Sequence, residues 1–232
     1  MSKSTFLWLV SCLCLFCMPA NGQEKKFAKK ETVPTDTVPL FQGFAVSTDL
    51  VGPGAYLFGS DFMSAEVALE VNLKNRFFPV VEIGYGKTDA TNEDSELHYR
   101  TSAPYFRVGM DYNVQYKKRL PGYIFAGVRL GYTNFTYDVE GPSLKDPVWG
   151  GEAPFAFADV SGNALWGELL AGVKVTVCKN LMMGWSLRYK MRISVSDHPN
   201  SAPWYIPGFG ANNNTKFGVA YNLIYRIPWK GR

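Results

Sequence analysis

Phe106-Arg-Val-Gly-Met-Asp-Tyr-Asn-Val-Gln-Tyr116 alternates without a break. Phe106, Val108, Met110, Tyr112 and Val114 form one face; Arg107, Gly109, Asp111, Asn113 and Gln115 form the other. A strict period of two, wholly apolar on one side and polar or glycine on the other, is a β-strand with one face in an apolar medium. Seven further runs behave the same way, within 44–50, 65–72, 81–85, 124–131, 168–176, 183–192 and 216–226. Their apolar faces carry no charge, and Thr48 is their only polar member. No stretch from Phe41 onward shows a helical period.

Alternation alone also fits a soluble sandwich, in which the polar face is wet. Three features favour a membrane barrel. Short links at 74–76, 117–122 and 178–180 alternate with long polar links at about 51–62, 86–103, 138–163 and 195–214. Such alternation of tight turns and long loops marks bacterial barrels. Aromatics gather at both strand ends: Phe77, Tyr116, Tyr123 and Trp229 near the short turns, and Tyr85, Phe106, Tyr132, Trp166 and Phe217 near the long links. Two aromatic belts match two membrane interfaces. The runs also approach the roughly ten residues that a tilted strand needs to cross the hydrocarbon layer. The expected fold is all-β: an eight-stranded antiparallel up-and-down transmembrane β-barrel with short periplasmic turns and long external loops.

The N-terminal segment has a different composition. Lys3 precedes an apolar run from Phe6 to Met18, too short to cross a bilayer as a helix, and Ala20-Asn21-Gly22 is a small-x-small cleavage site. Residues 1–22 therefore read as a signal peptide, 23–40 as a flexible periplasmic tail, and 41–229 as the barrel. Leu9-Val10-Ser11-Cys12 has the form of a lipoprotein box, and Asp36-Thr37-Val38 that of an O-glycosylation tripeptide. Cys12, Cys14 and Cys17 leave with the signal peptide, so Cys178 remains alone and no internal disulfide is expected.

The pattern, the signal peptide and the closing run Phe217-Gly-Val-Ala-Tyr-Asn-Leu-Ile-Tyr-Arg-Ile227 resemble the small outer-membrane barrels of the OmpA and OmpX type. Within these, the chain looks most like an uncharacterised barrel family of Bacteroides-like bacteria. The resemblance implies a barrel in the outer membrane of a Gram-negative cell envelope. It implies no particular activity.

The polar face is the candidate site. Asp49, Glu66, Glu70, Glu82, Asp111 and Glu168 point inward with Arg107, Arg129, Lys174, Arg188, Lys190, Lys216 and Arg226. An eight-stranded lumen is filled by side chains, and unpaired buried charge is costly, so these groups are expected to pair. Folding about the tight turns sets Asp111 opposite Arg129 and Glu168 opposite Lys190. His98 and His198 are weak loop candidates, next to Ser95, Ser102, Ser196 and Asp197. No catalytic, metal or cofactor motif is present. The net charge of +4 comes from scattered lysines and arginines, which form no stripe for nucleic acid. Tyr56, Phe58, Phe62, Phe155, Phe157, Trp204, Tyr205 and Phe209 either bind an external ligand or glycan or fold back over the barrel mouth.

The leading expectation is a non-enzymatic outer-membrane barrel with a structural or surface-binding role, in contact with outer-membrane lipid. The alternatives are a barrel enzyme that modifies lipid at the outer leaflet and a soluble periplasmic lipocalin-like binding barrel.

Overall fold

The computed structural model describes residues 39–92, 96–118, 120–145, 150–196 and 202–229. The predicted signal peptide, most of the tail, the lipoprotein box and Asp36-Thr37-Val38 lie outside the described residues, as do Ser95, Asp197 and His198. Among the described residues, ten strands and one short helix follow in chain order. They are β1 (Phe41–Asp49), α1 (Val51–Leu57), β2 (Phe62–Leu73), β3 (Phe77–Asn92), β4 (Leu97–Asn113), β5 (Gly122–Lys145), β6 (Glu152–Cys178), β7 (Leu181–Val195), β8 (Tyr205–Ile206), β9 (Gly210–Ala211) and β10 (Thr215–Pro228). Eight of them close an antiparallel ring in the order β1-β10-β7-β6-β5-β4-β3-β2, and β8 pairs with β9 as a separate hairpin.

The outward faces of the ring expose large apolar side chains, among them Val67, Val81, Val108, Val128, Leu169, Val173 and Leu187. A continuous apolar surface of this kind is stable only against lipid. At the short-turn end, Phe41 packs on Phe44 and Trp229, and Phe77 on Tyr112, with the Arg76 guanidinium over the Phe77 and Tyr116 rings. At the other end Tyr85, Phe106, Tyr132 and Phe217 stand exposed. Closure pairs the strand edges that would otherwise face lipid, which cannot satisfy free backbone groups, except where β10 runs on past the end of β1. A lipocalin-like barrel would place charge outside and apolar groups inside; at belt height these strands do the reverse.

Several expectations need correction. The links at 86–103 and 138–163 are largely strand, since β3 runs to Asn92, β4 starts at Leu97, β5 runs to Lys145 and β6 starts at Glu152. Alternation continues there with its polarity inverted. Above the belt the outward residues are polar, such as Lys87, Asp89, Arg100, Asn134 and Thr136. The inward ones are Tyr99, Ala103, Phe135, Tyr137 and Val139, which join one buried apolar cluster. The outer face has passed from lipid into water, so the apolar side turns inward. At about 3.3 Å per residue and a tilt of about 40°, Thr133 to Lys145 of β5 rises roughly 30 Å beyond the belt. The link at 51–62 contains α1. β4 ends at Asn113, so Val114 to Tyr116 belong to the turn.

Trp166 is not a belt residue: it is fully buried inside the barrel. Tyr123 also turns inward and stacks on Phe78. The glycines of the inner face explain how such rings fit. Gly84 pairs with Tyr105, Gly131 with Trp166, Gly162 with Phe135 and Gly172 with Phe125. Each large ring lies across the bare backbone of its partner; a Cβ on Gly131 would fall within the Trp166 indole.

Two outcomes are expected. Val173→Arg should lower stability in lipid by about 2–4 kcal/mol, because it places charge near mid-bilayer, whereas Thr136→Arg, in water, should stay within about 0.5 kcal/mol. Denaturant titration of the vesicle-refolded protein reads both. Gly131→Ala should cost about 1–3 kcal/mol by overpacking and shift the fluorescence of Trp166. Gly167→Ala should be nearly silent, since its Cβ would meet nothing nearer than Ile193 at 3.8 Å.

Candidate functional site

The inward charges form one connected column along the lumen. At the short-turn end Lys174 pairs with Glu70 and, at 3.2 Å, with Asp111. Asp111 meets Arg129 at 2.7 Å, and the Arg129 Nε donates to Glu82 at 2.9 Å. Glu82 is shared with Arg107 at 3.3 Å and with Arg188 at 3.1 Å. Both guanidiniums reach Glu66 and Glu168, with Arg188 3.2 Å from Glu66 and 3.4 Å from Glu168. Lys190 closes the column 3.9 Å from Glu168. The members come from β2 to β7, so the network ties six strands across the lumen.

Neutral groups complete the shell. The Trp166 indole N–H donates to Glu168 at 2.7 Å, and the Tyr105 hydroxyl donates to Glu66 at 3.2 Å. The cavity left inside the column is about 30 Å³, the size of one or two water molecules. Buried ion pairs gain little over apolar packing, but loss of one member leaves an uncompensated charge.

The expected register was displaced by two residues. Asp111 pairs directly with Gly127, and Arg129 with Gly109. The two side chains meet on the diagonal, because Gly109 and Gly127 leave room for the guanidinium to lean across. Glu168 does sit opposite Lys190. Asp49 and Arg226 are inward but stand outside the ion pairs. Asp49 accepts the backbone N–H groups of Val51, Gly52 and Tyr221, which starts α1 and fastens it to β10. Arg226 lies near the short-turn end, where it donates to the Lys179 carbonyl at 3.4 Å.

The link between β7 and β10 forms a plug. Tyr205, Ile206 and Phe209 are buried with Tyr99, Tyr105 and Trp166. Tyr99 Oη donates to the Tyr205 carbonyl at 2.8 Å, and Lys190 Nζ donates to the Gly208 carbonyl at 2.6 Å. Gly208 has φ +81° and lies against the Tyr105 ring, where a side chain would not fit. Trp204, Phe155 and Phe157 pack against the same cluster, so these loop aromatics fold inward. Tyr56 and Phe58 remain exposed. Periodicity could not reveal the plug, whose residues carry no strand pattern; the only signal was aromatic richness.

His98 lies on the outer wall beyond the belt. Its Nδ1 is 2.9 Å from Thr91 Oγ1, and its Nε2 is 3.3 Å from Asp89. Asp89 is shared with Arg100 at 3.5 Å, and this group faces water rather than a cavity. Among the described residues, no cluster of three or more His, Cys, Asp or Glu side chains is arranged to hold a metal ion.

The family model for the domain of unknown function DUF6048 matches residues 3–232. The chain belongs to this family. No curated protein matches the sequence. Among solved structures, this DUF6048 chain is similar to a major outer membrane protein from Thermus thermophilus, with TM-score 0.50 and 11% identity over 80% of this chain and 99% of that one. It also matches Neisserial surface protein A, with TM-score 0.38 and 13% identity over 81% and 96% of the two chains. A third match is Ail, the attachment invasion locus protein of Yersinia pestis, solved with the heparin analogue sucrose octasulfate. Its TM-score is 0.35 and its identity 9%, over 80% and 94% of the two chains. The Thermus protein shares the fold. With the lipid-facing belt and the closed ring, this makes the DUF6048 chain an outer-membrane β-barrel.

The network predicts strong coupling. Asp111→Asn or Arg129→Gln alone should each cost about 3–5 kcal/mol, and the double variant should recover about 1–3 kcal/mol of the summed loss. A double-mutant cycle in detergent micelles measures this; additive losses would show that the pair does not interact.

Proposed function

We propose that this barrel is a non-enzymatic outer-membrane protein with a structural or surface-binding role, whose working surface is the polar outer wall of the collar above the belt. The observation that carries the reading is the filling of the interior. The charges of the central column are paired with one another, and the mouth is plugged by Tyr205, Ile206 and Phe209. An eight-stranded barrel has little room for a channel in any case. The surfaces left free to meet a partner are the outer walls of β3 to β6, where Lys87, Asp89, Arg100, Asp138 and Glu140 alternate along the strands. A rigid sheet holds these groups at fixed spacing, which lowers the ordering cost of binding. Outer-membrane lipid surrounds the belt, and an external ligand or glycan is the class of partner that the polar walls suit.

Orientation is the decisive test. In a Cys178→Ser background, a cysteine placed at Thr136 should react with a membrane-impermeant maleimide in intact cells. Native Cys178 is exposed at the β6–β7 short turn and should react only after the outer membrane is opened. Labelling of Cys178 but not of Thr136→Cys in intact cells would invert the barrel and remove the collar from the cell surface.

A further inference from the structure

The barrel wall is incomplete at one place. β1 pairs with β10 from Gly43↔Pro228 up to Asp49↔Asn222, and the last backbone bond across this seam is Leu50 N–H to the Tyr221 carbonyl. β10 continues to Thr215 with β7 as its neighbour on the other side. Its edge from Thr215 to Ala220 therefore has no strand partner on the β1 side. A cavity of about 190 Å³ opens there. Phe217 and Val219, whose side chains face outward, line it together with the inward Gly218 and Ala220. A cavity lined by both faces of one strand passes around that strand's edge, so it opens sideways. Phe217 packs on Tyr189 with ring centroids 4.9 Å apart, within the belt of exposed aromatics, which sets the opening at headgroup depth.

One lysine of this cavity has no ion-pair partner among the described residues. The ion network holds five acids, Glu66, Glu70, Glu82, Asp111 and Glu168, against five bases, Arg107, Arg129, Lys174, Arg188 and Lys190. Lys216 is left over, without an ion pair among the described residues, and it lines the cavity. It lies directly across from Lys190 on the same inward face. Like charges placed opposite one another on a sheet repel. Asp49 also lines the cavity and keeps its negative charge, but its carboxylate is held by three backbone N–H groups and forms no ion pair with Lys216 among the described residues.

We infer that this lateral cavity binds the phosphate group of a lipid, bridged between Lys216 and Lys190, with the acyl chains lying along the outer face of the β1–β10 seam. An anion there removes the lysine repulsion, and a headgroup supplies polar contacts to an edge that hydrocarbon could not satisfy. A lipid fits better than a soluble anion because the opening is lateral and at belt height. The inference does not depend on what the collar walls bind.

The test uses the full chain refolded in uncharged maltoside micelles, with native mass spectrometry to count retained ligand. Dioleoyl phosphatidic acid is the probe, and dioleoylglycerol, which lacks the phosphate, is the comparison. Wild type should retain one phosphatidic acid and no dioleoylglycerol. Lys216→Met should weaken retention by about tenfold, the effect of one charge-assisted hydrogen bond. Lys216→Arg should preserve it, as should Lys118→Ala on the exposed short-turn side. Heat-modifiable gel mobility verifies folding, and Lys216→Gln takes the place of any variant that fails to refold. Equal retention by wild type and both neutral variants overturns the site. Inorganic phosphate that binds as tightly as phosphatidic acid overturns its assignment to lipid. A dimer that forms through the seam and is lost in Lys216→Met overturns it in favour of a second copy of this chain.

Discussion

Hydrocarbon cannot hydrogen-bond to a peptide group, and the rest of this structure follows from that constraint. The sheet must close, and with eight strands it closes around a lumen too narrow for bulk water. Every polar side chain on the inner face then needs a partner from another strand. The column from Lys174 and Asp111 through Arg129, Glu82, Arg107 and Arg188 to Glu168 meets that requirement with groups drawn from across the ring. These bonds add little net free energy over apolar packing. Their effect is on specificity, since a slip of strand register would strand charge in the lumen or move it into lipid.

A second constraint acts where the strands leave the bilayer. The backbone continues unchanged from the belt into the collar, but the solvent outside becomes water, and the apolar face changes sides. β5 contains the whole transition: Val128, Leu130 and Tyr132 face lipid, whereas Phe135, Tyr137 and Val139 fill the interior. The collar is a soluble-type barrel continuous with a membrane-type one. Its core needs large rings in a confined space, and glycine on the paired strand supplies that space, as at Gly131 beneath Trp166 and Gly84 beneath Tyr105.

The plug and the network are mechanically joined. Lys190 faces Glu168 on one side and donates to the Gly208 and Phe209 carbonyls on the other. The β8–β9 hairpin is thus tied to the top of the charge column as well as to the aromatic core. Opening it would break polar and apolar contacts together, which argues for a rigid mouth. The softer region is the seam, where α1 stands in for the missing β1 partner and is started by Asp49.

Period-two alternation, charge-free apolar faces and the three tight links determined the eight strands of the ring, the outward and inward assignment at belt height, and the set of inward charges. Those features are local, because a strand's faces are set by the medium on each side. The sequence also implied that Asp111 and Arg129 meet, because a tight turn relates their strands. Tertiary structure decided the rest. The meeting is diagonal because glycines flank it, and Trp166, which shares the inward parity of Glu168, fits inside because Gly131 lies across from it. The collar was read as loop because its outward residues are polar, and a polar outward face has no apolar run to mark the strand. The seam cavity and the Lys216–Lys190 juxtaposition depend on where β1 ends relative to β10, strands at opposite ends of the barrel sequence. No local pattern encodes that offset; it arises only when the ring closes.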